Sequence, residues 1–81
     1  MHRLKDAQKK VIGFKQSLKV IERGQAVVTY VAKNVEDKIR LPLLEASARK
    51  GIPVVEADTM EELGKACSIQ VGASAATILK D

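Results

Sequence analysis

The fold predicted by this 81-residue sequence is a three-layer α/β/α sandwich around a small mixed four-stranded sheet. Two observations carry that prediction. Short apolar runs rich in β-branched residues, Val27-Val28-Thr29-Tyr30-Val31-Ala32 foremost, alternate along the chain with stretches of helical period. Isolated glycines and prolines fall at the boundaries between the two kinds of segment. Composition agrees: 46% hydrophobic and 30% charged residues describe a globular chain. At this length roughly 60% of the unfolded surface is buried, enough for one core and hence one domain, residues 1–81.

Taken in order, residues 3–10 read as a short polar helix that docks through Leu4, Ala7 and Val11. Residues 11–13 form a brief strand. From Phe14 the period becomes helical. Phe14, Leu18 and Ile21 point inward at i, i+4 and i+7, Lys15, Lys19 and Glu22 share an outer face, and Gly24 ends the helix as its C′ residue. Residues 27–32, almost continuously apolar, suit a strand covered on both faces.

A polar loop, 33–37, leads to a helix from about 38 to 50, with Ile39, Leu43 and Ala46 on one stripe and Gly51 as its stop. Proline fits best in a first turn, so the true start is expected at or just before Pro42. Pro53 introduces a second buried strand over 54–57. Thr59, with Glu62 three residues on, forms a capping box that opens a helix running through Leu63 to Cys67. Residues 68–72 are a loop, and 73–79 are a last, interior strand. The lone Cys67 has no partner for an internal disulfide and reads as a small buried side chain.

Charge is distributed unevenly. Residues 1–24 carry Arg3, Lys5, Lys9, Lys10, Lys15, Lys19 and Arg23 against Asp6 and Glu22, a net of +5, whereas the other 57 residues sum to −1. That asymmetry favours a polyanionic partner. The most informative segment within it is Val11-Ile12-Gly13-Phe14-Lys15-Gln16-Ser17-Leu18-Lys19, where an apolar run turns through glycine into a helix that starts with lysine and glutamine. A helix start exposes unpaired N–H groups and the positive end of the dipole, which suits an anion or a nucleic acid. A solvated lysine face is the competing reading on charge alone.

Other functions lack their parts. One histidine at the terminus and one cysteine supply neither a nucleophile–His–carboxylate set nor a zinc site, and phosphate-binding glycine patterns are missing. No enzyme, metal or cofactor is therefore expected. No run approaches the ~20 apolar residues of a membrane span, and nothing resembles a signal peptide, so a cytoplasmic protein is expected. Two aromatic residues, Phe14 and Tyr30, cannot build a stacking platform for single strands, and the apolar strands leave no room for a DNA-reading helix-turn-helix. A structured nucleic acid read by a helix end and a loop remains. A protein–protein adaptor or ribosome assembly factor on the same scaffold is the alternative, and a monomer is expected in either case.

Two separated motifs carry a resemblance over essentially the whole chain. The first is Gly13-Phe14-Lys15-Gln16-Ser17-Leu18-Lys19, continued by Arg23-Gly24 and its apolar strand. The second is Leu63-Gly64-Lys65-Ala66-Cys67 followed by Ile69-Gln70-Val71-Gly72-Ala73-Ser74-Ala75-Ala76. Together they resemble the kink-turn RNA-binding ribosomal protein family, which includes archaeal and eukaryotic large-subunit proteins and small bacterial relatives of the YbxF type. The resemblance implies the α/β/α sandwich and recognition of RNA bent sharply at a bulge beside tandem sheared G·A pairs. It implies that Gly13 and Phe14 open the contact segment, with Gly13 allowing close approach. Lys15 and Gln16 would reach guanine edges, and Lys19 a guanine or a phosphate. Ile69, Gln70, Val71 and Gly72 would shelter bulged nucleotides, and Glu36 would contact an extruded base. Many archaeal and eukaryotic members carry Asn-Glu where this chain has Lys15-Gln16, so a charged acceptor is replaced here by a neutral amide. Taken without the resemblance, Phe14, Ile69 and Val71 read as core and Glu36 as a solvated loop residue.

Overall fold

A computed structural model describes residues 2–80; the two ends of the expected 1–81 domain, Met1 and Asp81, lie outside the described residues. The elements alternate as expected: α1 (His2–Asp6), β1 (Lys10–Ile12), α2 (Phe14–Glu22), β2 (Ala26–Ala32), α3 (Asp37–Arg49), β3 (Val54–Ala57), α4 (Met60–Ala66) and β4 (Ala75–Leu79). The four strands form one mixed sheet in the order β1-β4-β2-β3. β4 runs antiparallel to both its neighbours, pairing Val11 with Thr77 and Thr29 with Thr77, while β2 and β3 run parallel with Tyr30 beside Val55. A bulge at Val27 breaks the register near the start of β2.

Side chains alternate across β2, and this sorts the helices into two layers. Thr29 accepts a 3.0 Å hydrogen bond from the Ser47 hydroxyl, so α3 covers that face together with α2, against which it packs. The next side chain, Tyr30, points to the other face, where Arg3 of α1 lies close enough to act on its hydroxyl and where α1 meets α4. The core between layers holds Leu4, Ile21, Val31, Leu43 and Leu63, all fully buried. Cys67 is buried at the end of α4, as read from the sequence.

Several boundaries and burials depart from the sequence reading. The first helix stops at Asp6, and Val11 serves β1 instead of the helix face. On α2 the fully buried positions are Ser17 and Ile21 with Val20 close behind, whereas Phe14 and Leu18 are half-buried; the inward stripe is rotated toward Ser17 because a small side chain lets the helix sit close to the sheet. Helix α3 begins at Asp37, so Pro42 lies within it rather than at its start. The chain turns helical at Glu36, whose carbonyl accepts from both Ile39 and Arg40, and proline then costs a single bond at exposed Lys38. β3 is not a buried strand. It is a sheet edge, with Val55 40% exposed and Glu56 reaching Arg40 of α3 at 3.3 Å. Thr59 caps α4 as expected, its hydroxyl accepting from the Glu62 N–H at 3.1 Å.

Candidate nucleic-acid interface

Strand polarity gathers the functional candidates. β1, β2 and β3 end, and β4 begins, at one edge of the sheet, here called the upper edge. The starts of α2, α3 and α4 therefore all lie there, with the loop 67–74 that feeds β4. In α/β folds this is the edge that binds ligands, because loops and helix N-termini converge there.

Gly13 makes the junction. Its N–H donates to the Ala75 carbonyl at 2.8 Å, and its carbonyl accepts from the Ser17 N–H at 3.1 Å, the first bond of α2. The N–H groups of Phe14, Lys15 and Gln16 precede that bond and have no carbonyl one turn back. Gly13 has φ 107° and ψ 162°, a conformation all but restricted to glycine, and nothing lies within 4 Å of where a Cβ would stand. The backbone at the helix start is thus open to close approach. Lys15, Gln16 and Lys19 are exposed along the following turn and a half, and no side chain caps the helix. Phe14 is half-buried against the core.

The loop before β4 is pinned on both sides. The Ile69 N–H donates to Gly64 at 3.1 Å, the Ala73 N–H to Met60 at 2.9 Å, and the Ala32 N–H to the Ser74 carbonyl at 3.1 Å. Gly64 on α4 lies so close to the loop that a Cβ there would overlap the Val71 carbonyl oxygen. Ile69 is half-buried against the core, while Gln70, Val71 and Gly72 project, Val71 being 70% exposed. An apolar side chain held that far into solvent by a braced backbone suits contact with another apolar surface. Because Gly13 bonds to Ala75, three residues beyond Gly72, the two sequence motifs meet on one edge with their polar groups outward.

Glu36 stands on the same edge as the N-cap of α3. Its carboxylate is exposed and 3.3 Å from Lys38 Nζ, and it makes no capping bond. Sequence reasoning missed the brace between these loops: Asn34 Oδ1 accepts from the Met60 N–H at 2.9 Å, and Lys33 pairs with Asp58 at 3.4 Å. A polar Lys-Asn pair directly after a strand was the available signal. Among the described residues no group of His, Cys, Asp and Glu could hold a metal ion, and no helix is long and apolar enough to cross a membrane.

A small α/β/α domain with a cationic helix start and a braced, projecting loop on one edge defines a class of compact ligand-reading modules. The comparisons narrow it: residues 1–81 match the ribosomal protein L7Ae/L30e/S12e/Gadd45 family, and the chain belongs to that family. It is 40% identical over 74 residues to the RNA-binding protein YbxF of Geobacillus stearothermophilus, covering 91% of this chain and 90% of that one. It is 41% identical over 68 residues to the large ribosomal subunit protein eL8 of Halobacterium salinarum, covering 83% of this chain and 57% of the longer relative. A 15.5kD RNA-binding protein of Giardia lamblia superposes with a TM-score of 0.87 at 30% identity, covering 99% of this chain and 68% of that one.

Proposed function

We propose that the protein is a non-catalytic RNA-binding protein, ribosomal in type, whose upper edge recognises kink-turn RNA and holds it bent. The Gly13–Ala75 hydrogen bond carries this reading, since it sets the cationic start of α2 beside the 69–72 loop. Regular A-form RNA hides its base edges in a narrow major groove, and a bend with sheared G·A pairs opens that groove to a helix end. In this arrangement Gly13 and Phe14 bring the backbone up to the RNA, with Phe14 fixing the helix start through its buried side. Lys15 donates to guanine O6 and N7, both acceptors, and the Gln16 amide accepts from a guanine amino group. Lys19 holds a guanine or phosphate one turn further along. Val71 covers the face of an unstacked base with Ile69 behind it, Gln70 and Gly72 line the approach, and Glu36 accepts from an extruded base. Relatives bearing RNA-binding and ribosomal names support the same partner. The protein acts as a cytoplasmic monomer beside its RNA, with no DNA or membrane partner.

Titration against a kink-turn duplex and a matched duplex lacking the G·A pairs tests the reading. Tighter binding to the former is expected, and equal affinity for the two rejects specific recognition. Lys19→Ala is expected to weaken binding and to reduce the slope of log affinity against log salt by about 0.9, the share of one phosphate contact. An unchanged slope would take Lys19 off the phosphate backbone.

A further inference from the structure

We infer that the lower edge of the sheet, opposite the recognition edge, is a second RNA contact that grips duplex phosphates without reading sequence. At this edge β2 and β3 begin, β4 ends, and α2 and α3 finish. It carries three connected hollows. One of about 450 Å³ is lined by Arg3, Asp6, Lys9, Val27 and Leu79. A second, about 350 Å³, shares Val27 with the first and adds Lys50, Lys80 and Pro53. A third, about 360 Å³, lies among Lys50, Glu22 and Arg49. Among the described residues the rim thus holds Arg3, Lys9, Arg49, Lys50 and Lys80 against Asp6 and Glu22, a net of +3, and exposed Arg23 at the end of α2 adds a sixth cation.

Two features separate this cluster from ordinary surface charge. Basic groups at helix C-termini complement the dipole, which accounts for Arg23, Arg49 and Lys50. It does not account for Lys9, in the turn before β1, or Lys80, after β4. The three ion pairs formed among the described residues all use other cations, Lys33, Lys38 and Arg40, at the opposite edge or along α3. Like charges gathered without such neutralisation repel one another, and an anionic partner removes the repulsion. A broad, open rim in which lysines and arginines outnumber carboxylates fits a row of phosphates, which such side chains contact without reading bases. The seven residues of β2 span ~20 Å, so the two edges face RNA segments on opposite sides of the protein.

The decisive probe is a blunt 20-base-pair RNA duplex without non-canonical pairs, followed by anisotropy over a range of salt. The triple variant Lys9→Gln/Lys50→Gln/Lys80→Gln replaces three exposed side chains and is expected to bind this duplex at least tenfold more weakly, with the salt slope lower by two to three, at about 0.9 per lost contact. Lys15→Ala/Lys19→Ala, which removes two exposed cations from the other edge, is expected to weaken plain-duplex binding less than the triple variant does. A native gel with kink-turn and plain RNA in different dyes is expected to show both on one wild-type protein and to lose the plain duplex with the triple variant. Duplex affinity unaltered in the triple variant, or abolished by the Lys15/Lys19 variant, would overturn the inference. So would a polyglutamate chain that competes through these three lysines when the duplex does not, since the edge would then belong to an acidic protein. The plain duplex lacks the bend and the G·A pairs that the upper edge is proposed to read, so its loss in the triple variant is separate from whether the upper edge recognises a kink-turn.

Discussion

At Gly13 the backbone adopts φ 107° with ψ 162°, yet the space around the missing side chain is empty. A substitution there is penalised by conformation and not by collision. Gly13→Ala is therefore expected to cost ~1–3 kcal/mol in urea unfolding, and to place a methyl group on the surface proposed to meet RNA. Gly64 presents the opposite case. Its helical backbone suits alanine, which is the better helix former by ~1 kcal/mol, but the added Cβ overlaps the Val71 carbonyl and crowds Gly72. Gly64→Ala is expected to be destabilising by ~1–3 kcal/mol and to weaken RNA binding more than stability alone explains, because the displaced segment carries Val71. Retained affinity in a folded Gly64→Ala protein would separate the loop from recognition. Gly13 was legible in the sequence, since a lone glycine between an apolar run and an amphipathic helix announces a special turn. The role of Gly64 was not, because it depends on the path of a loop seven residues away.

Among the elements, α2 and α3 rest on the sheet through a seam of buried hydroxyls. Thr29 and Thr77 stand side by side on adjacent strands, and Ser47 of α3 bonds to Thr29, while Ser17 Oγ and Thr77 Oγ1 are buried without a hydrogen-bond partner. An unpaired buried hydroxyl costs about 1–3 kcal/mol, whereas a paired one is worth about 1. Ser17→Ala is therefore expected to raise stability by about 1 kcal/mol and Ser47→Ala to lower it by a similar amount, both measured by urea unfolding. Loss of stability in Ser17→Ala would place a partner on its hydroxyl. Helical and strand periodicity made the kind and order of the eight segments readable, with the end of the first helix and the start of α3 each misplaced by about one turn. The first helix ends at Asp6 because Gln8 and Lys9 form the turn into β1, where Lys10 already pairs with Ile78. Pairing decided the rest: nothing local to Val54-Val55-Glu56-Ala57 tells that the strand pairs on one side only, so its exposure at Val55 had to come from the sheet order. Pro42 misled for a related reason, since the cost of one missing bond is outweighed when Ile39 and Leu43 both dock.

On the scale of the whole molecule, the residues proposed to recognise RNA occupy loops and helix starts at one edge, and the titratable groups buried in the body respond to alkali. Burial pushes the Cys67 thiol above its ordinary 9.0, with nearby Lys10 working against the shift; burial likewise raises Tyr30 above 10.0, opposed by Arg3. The folded protein thus holds both protons more tightly than the unfolded chain. Stability is unaffected by these groups below about pH 7.5, where both are neutral in the folded and the unfolded chain, and declines as pH rises through the thiol and then the phenol range. A urea midpoint that falls between pH 8 and 11 is expected, with Cys67→Ala removing the earlier part of the fall; a flat profile would mean that neither group is shielded from water. Tyr30 has a further consequence. The chain has one tyrosine and no tryptophan, and that tyrosine sits in the middle of β2 with 4% of its surface exposed. Its ultraviolet emission is consequently a built-in gauge of whether the interior is intact, so that unfolding can be followed optically with no label attached to the protein.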